Sequence, residues 1–182
     1  DHAELRLSRI AYEAVLATRE RMERTERKAS ETAQLLGELR KAKYTPGVTL
    51  NDWLEKHHQP EAQNGLSAVE LLKRPEITLS ALAELSPEIR QFGKPAQEQA
   101  EISVKYEGYL ERQETLIRHA RQMEETLLPE DLPYEEVTGH RIEARQKLMK
   151  QRPRSLAAAS RIPGVSPADV AVLMVFLEKH KA

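Results

Sequence analysis

At 182 residues the chain is long enough for one ordinary domain, or for a bundle with a smaller appendage. Charged residues make up 31% against 4% aromatics at a net charge of −1, which suits a helical protein with a core of Leu, Ile, Val and Ala. The longest apolar run, VAVLMVFL at 170–177, excludes a membrane-spanning helix, and the lack of cysteine excludes a disulfide frame, a thiolate metal site and a cysteine nucleophile.

The chain opens on DHAELRL, without an initiator methionine or the parts of a signal peptide, so it is expected to be a piece of something longer. No stretch alternates apolar and polar residues for long, and helix formers dominate throughout. The expected class is all-α: a long antiparallel helix pair or bundle with a small C-terminal three-helix module. The first helix is predicted over 18–43, with Thr18 as N-cap and Met22, Thr25, Ala29, Thr32, Leu36 and Leu39 as its seam. Pro46 and Gly47 break it. A short helix around Trp53 and a polar loop follow. Ser67 and Glu70 make a capping box, Pro75 ends that helix, and Thr78 caps the next, through LSALAEL.

After GKP at 93–95 no proline occurs until Pro129. Ile102, Tyr106, Tyr109, Gln113, Leu116, Ala120, Met123 and Leu127 fall at steps of three and four, the expected seam against the first helix. Within this helix stands KYEGYLERQ. A glycine in a helix interior costs roughly 0.8–1 kcal/mol relative to alanine, so Gly108 needs a reason. Lys105, Gly108, Arg112, Thr115 and His119 form a stripe beside the seam, which puts Gly108 off the core face. There it permits close approach, either of a neighbouring helix or of RNA or a partner protein.

LPEDLPY, with prolines at 129 and 133, is the expected boundary between a bundle over 1–128 and a module over 129–182. Three short helical pieces are predicted beyond it, around Tyr134, over 142–150, and from Pro167 to the end. Between His140 and Arg161 the chain carries Arg141, Arg145, Lys147, Lys150, Arg152, Arg154 and Arg161 against Glu143 alone. Such a segment is either a solvated face or the footprint of an anionic partner, most often nucleic acid. SLAAASRIPGVSPADVAVLMVFL reads as a helical hairpin turning at Pro163 and Gly164, with Ser166 as cap, Pro167 at the first helical position and Asp169 three residues past the cap. It is similar to helix-hairpin-helix motifs, whose turn amides hold a phosphate, but Ser166 stands where their second glycine falls.

Enzymatic patterns are weak. His57, His58 and Glu61 lack a third well-spaced ligand, FGKP is no phosphate loop, and no G-x-G-x-x-G occurs.

Several stretches together resemble the C-terminal helical region of the MnmG (GidA) family of tRNA uridine 5-carboxymethylaminomethyl modification enzymes. They are AELRL, LLKRPEI, KYEGYLERQ, LPEDLPY, EARQKL, RPRSLAAASRIPGVSPADVAVLM and the closing FLE, in family order across nearly the whole chain. The resemblance implies an FAD- and NADH-dependent, cytoplasmic, homodimeric enzyme that modifies the wobble uridine of tRNA with the GTPase MnmE and a folate one-carbon unit. Its flavin domain and catalytic cysteines would lie upstream. This chain would then be a non-catalytic part that contacts tRNA and docks MnmE, with no cofactor, metal or membrane of its own. The candidate contacts are Lys105, Gly108, Tyr109, Arg112, Arg145, Arg152, Arg154, Arg161 and Gly164. The chain departs from the family pattern at Pro133, His140, Arg141, Ala157 and Ala158, which puts any polar contact at the last two in doubt. The alternative is an autonomous helical domain that binds nucleic acid or another protein.

Overall fold

The computed structural model describes residues 2–181, and these are helical apart from two short strands and connecting loops. They form two compact units, divided in the chain between Glu111 and Arg112.

In the first unit α1 (His2–Lys41) runs through Thr18, which is no cap: its hydroxyl donates to the Ala14 carbonyl, one turn back. Thr25 and Thr32 back-bond in the same way. Nothing between His2 and Thr18 stops a helix, since neither Pro nor Gly occurs there. The seam buries only at its C-terminal end, at Thr32, Leu35 and Leu39, while Met22 is exposed. The chain then forms β1 (Lys43–Tyr44), paired antiparallel with β2 (Leu66–Ser67) in the register Lys43 to Ser67. Between the strands lies α2 (Val48–Lys56), whose Trp53 is buried and donates its indole N–H to the Ala81 carbonyl at 3.1 Å.

At the centre is α3 (Ala68–Lys73), packed against α1 and against α4 (Leu79–Leu82). Both starts are fixed locally: Ser67 and Glu70 complete the capping box, and the Thr78 hydroxyl accepts from the Ala81 amide. Instead of continuing through LSALAEL, α4 gives way to a 3-10 turn at Pro87–Gln91. The core joins Leu35, Leu39, Trp53, Leu54, Leu71, Leu72 and Leu82 to Ala100 and Val104 of α5 (Lys94–Glu125).

Apart from Met123, the large apolar residues of the expected α5 seam are exposed. Ile102, Tyr106 and Leu116 are exposed, and the buried residues of α5 are Ala96, Ala100, Val104 and Gly108. Gly108 is therefore on the core face and not off it, and with Ala96, Ala100 and Val104 it makes up a buried face at steps of four.

The second unit holds the end of α5, a 3-10 turn at Tyr134–Glu136, and α6 (Ile142–Gln151), α7 (Leu156–Ser160) and α8 (Pro167–Lys179). Its core gathers Leu128, Leu132, Tyr134, Leu148, Leu156, Val170 and Leu173, with Met123 packed on it. The expected division at 128 lies past the point where the packing changes. Met123 packs on this core, and just past the helix the Leu128 amide donates to the Arg154 carbonyl and the Leu156 amide to that of Thr126, so the last turns of α5 belong with the module.

Candidate functional site

The basic segment lies on α6, α7 and the loops that flank them. α6 ends in a left-handed residue, Arg152 (φ 46°, ψ 62°), whose amide returns to the Leu148 carbonyl at 2.9 Å. Its guanidinium donates to the carbonyls of Leu132 at 2.6 Å and Glu130 at 3.2 Å and lies over the Tyr134 ring, 5.2 Å from the centroid. Burial raises the Tyr134 pKa against the opposing pull of Arg152. Arg152 therefore ties the Pro129–Pro133 loop to the end of α6. Arg145, half-buried, likewise donates to the Val137 carbonyl at 3.0 Å.

Arg154 and Arg161 are held differently. Arg154 pairs with Glu130 at 2.5 Å and Arg161 pairs with Glu124, yet the two arginine side chains remain 81% and 67% exposed and their carboxylate partners are exposed as well. Pairs of this kind contribute little to stability, about 0–1 kcal/mol. A phosphate can take the place of either carboxylate without uncovering a buried group. Lys147 and Lys150 have no ion-pair partner among the described residues.

The hairpin is built as its local sequence predicts. Ser166 caps α8, its hydroxyl accepting from the Asp169 amide while Asp169 accepts from the Ser166 amide, and Pro167 opens the helix. Gly164 has φ +95°, and a Cβ there would stand 2.9 Å from Oε1 of Glu143. Asp169 does not pair with Arg161, the partner that proximity across the turn suggests. Arg141 reaches it at 3.0 Å and also donates to the Gly164 carbonyl, while a ring nitrogen of His140 bonds the Asp169 carbonyl at 2.9 Å. Burial works to raise the Asp169 pKa, but the Ser166 amide, the Arg141 guanidinium and the Ser166 hydroxyl outweigh it and hold the group at about 2. Ala157 is buried and Ala158 half-buried on α7.

In the first unit Lys105 points inward. Its ammonium donates to the carbonyls of Leu72 at 2.7 Å and Arg74 at 2.5 Å and to that of Ile77, closing the C-terminal end of α3. Its charge is committed to the fold. Tyr109, 49% exposed, lies instead on the outer face of α5 with Ile102, Tyr106 and Leu110, an apolar stripe that the sequence pattern reads as core. Large residues at helical spacing gave that signal, and only the packing of the smaller face corrects it. Arg112 is exposed at the start of the second unit.

No group of three or more His, Cys, Asp or Glu able to hold a metal occurs among the described residues. His57 stands 3.5 Å from Glu84, and Glu61 accepts from Asn51. No helix among the described residues is long and apolar enough to cross a membrane.

Two family models match in tandem. One, described as the tRNA modifying enzyme MnmG/GidA C-terminal helical domain, covers 19–114, and a second, described as the C-terminal helical bundle of the same enzyme, covers 116–182. Among curated relatives, the tRNA uridine 5-carboxymethylaminomethyl modification enzyme MnmG of Caldicellulosiruptor saccharolyticus is 38% identical over 181 residues, taking in 100% of this chain and 29% of that protein. The enzyme of the same name from Alkaliphilus oremlandii is 40% identical over 182 residues, again 100% and 29%. The chain thus spans about 29% of the length of these relatives. Of solved structures, Aquifex aeolicus GidA in one crystal form aligns at 25% identity over 87% of this chain and 24% of that one, with a TM-score of 0.35.

Proposed function

The chain belongs to the MnmG/GidA family as its C-terminal helical region, and from that premise we propose that it is the non-catalytic part of an FAD- and NADH-dependent tRNA wobble-uridine modification enzyme, contacting tRNA through its second unit. The observation that carries this reading is the exposure of Arg154 and Arg161, each held only by an exposed carboxylate. Exposed guanidiniums displace counterions from phosphates and position an RNA without reading its bases. Gly164 keeps the turn beside them compact, while Arg145 and Arg152 support the surface from below. On the family reading FAD and NADH are assigned to the remainder of the protein, which would act as a cytoplasmic homodimer.

In filter binding of tRNA to the whole protein over a range of salt, Arg154→Gln or Arg161→Gln should lower the slope by roughly 0.7–0.9 each and weaken all tRNAs about equally. An unchanged slope in both removes the reading.

A second observation favours a protein partner, a role the family reading assigns to the GTPase MnmE. The α5 stripe of Ile102, Tyr106, Tyr109 and Leu110 presents two tyrosines and two aliphatics on an otherwise charged helix, the side-chain types that anchor protein interfaces. Tyr106→Glu should abolish capture of MnmE and leave the tRNA salt slope alone. Retained capture would sink this assignment.

A further inference from the structure

A second cationic surface lies in the first unit, on a part of α1 that makes no contribution to the core. Arg21, Arg24, Arg27 and Lys28 line an open cleft of about 470 Å³ with Thr25 and Glu31, closed on its other side by Gly93, Pro95 and Ala96 at the start of α5. At 100° per residue, Arg21, Arg24 and Lys28 fall within about 60° of one another on the helix surface. Glu23 and Glu26 turn the other way and line a separate patch with Ala14, Thr18 and Met22. None of the four cationic side chains has a hydrogen-bond or ion-pair partner among the described residues. The one carboxylate in the cleft, Glu31, accepts from the Gly93 amide at 3.0 Å and so already neutralises the first amide of the turn into α5.

Four cations against one engaged carboxylate leave the cleft strongly positive. We propose that this cleft binds the phosphodiester backbone of an RNA, as a second contact distinct from the basic segment of the other unit. The inference rests on the reading of the chain as part of a tRNA-binding protein. Its form selects an extended polyanion over the alternatives. Arg21 to Lys28 spans on the order of 10 Å of helix axis, over which a nucleic-acid strand presents about three phosphates at 3.4 Å each. A lone phosphate is held by converging backbone amides in a closed nest, and here the cations are spread along an open wall. Arginines also anchor protein interfaces, but in company with buried aromatic side chains, and the lining holds no aromatic residue.

The test is the salt dependence of binding of an unmodified tRNA transcript to the whole protein carrying Arg21→Gln, Arg24→Gln and Lys28→Gln together. All three side chains are exposed, so the fold should be unaffected, which an unchanged melting temperature confirms. The slope should fall by about 2, and affinity at 0.1 M salt by on the order of 100-fold. Arg21→Lys with Arg24→Lys should keep the slope, because a phosphate contact needs the charge more than the shape.

An unchanged slope in the triple variant overturns the proposal. So does full displacement of tRNA from the unsubstituted protein by 10 mM inorganic phosphate at constant ionic strength, since the cleft would then be a small-anion site. Retained tRNA binding with lost capture of MnmE would assign the cleft to a protein and overturn it equally. Running Arg154→Gln with Arg161→Gln alongside separates the two readings. A loss in that variant alone sinks the cleft and leaves the proposed function, a loss in the cleft variant alone does the reverse, and a loss in neither sinks both.

Discussion

Removing the carboxylate of Asp169 should loosen α8 and erase a pH dependence at the acid end. Asp169 is 2% exposed and its Oδ2 accepts from the Ser166 amide at 2.9 Å, the Ser166 hydroxyl at 2.9 Å and Arg141 at 3.0 Å. With its pKa held at about 2 against an ordinary 3.8, the charged form is favoured by the fold. Its contribution is complete above the unfolded pKa and fades as pH falls from about 4 toward 2. The shift alone corresponds to about 1–2 kcal/mol, after allowing for solvent screening of the exposed Arg141. Asp169→Ala also leaves the half-buried Ser166 amide without its acceptor, for a total near 2–3 kcal/mol at pH 7. Asp169→Asn keeps an acceptor and loses only the charge term. Amide hydrogen exchange in the first turns of α8, followed from pH 5 to pH 2.5 and scaled for intrinsic rates, reads this locally. Protection in the unsubstituted protein should decline across that window, and in Asp169→Asn it should be lower from the start with a flatter decline. Equal protection in Asp169→Ala and the unsubstituted protein at pH 5 would refute the reasoning.

Lys105→Met should destabilise the first unit by about 2–4 kcal/mol, seen as a lower urea midpoint, because three carbonyls at the end of α3 lose their donor; an unchanged midpoint would mean that water replaces the ammonium freely. Gly164→Ala should cost about 1–2 kcal/mol from its φ of +95°, and Glu143→Ala in the same chain should recover only the steric part, as thermal melts of the two variants will show. Arg152→Gln should lower the stability of the second unit without changing the tRNA salt slope, because its guanidinium is held by the Glu130 and Leu132 carbonyls; a reduced slope at constant stability would make Arg152 a phosphate contact instead.

What the sequence made legible is what neighbouring residues decide. The caps at Ser67, Thr78 and Ser166 each rest on a hydroxyl and an amide three residues apart, and all three stand where they are predicted. Thr18 shows the converse: a capping residue with good helix formers on both sides gives no cap, because nothing before it prevents the helix. On α5 the pattern of large apolar residues marked a real stripe, but Ala96, Ala100, Val104 and Gly108 take the core side. Size and spacing cannot rank two apolar faces of one helix when the packing partner is unknown. The basic segment was visible as composition, whereas the sorting of its cations depended on distant groups: Glu124 for Arg161, Glu130 for Arg154, and carbonyls of the Pro129–Pro133 loop for Arg152.

The central claim is that the second unit touches tRNA, and site-specific photocrosslinking tests it most directly. A photoreactive amino acid placed at position 154 or 161 of the whole protein, and at the exposed Asp52 of α2 as a control, is irradiated with labelled tRNA at low and high salt. The account predicts adducts at 154 and 161 that fade as salt rises, with little at 52. Absence of adducts at both 154 and 161, under conditions where the protein binds the tRNA, would contradict it.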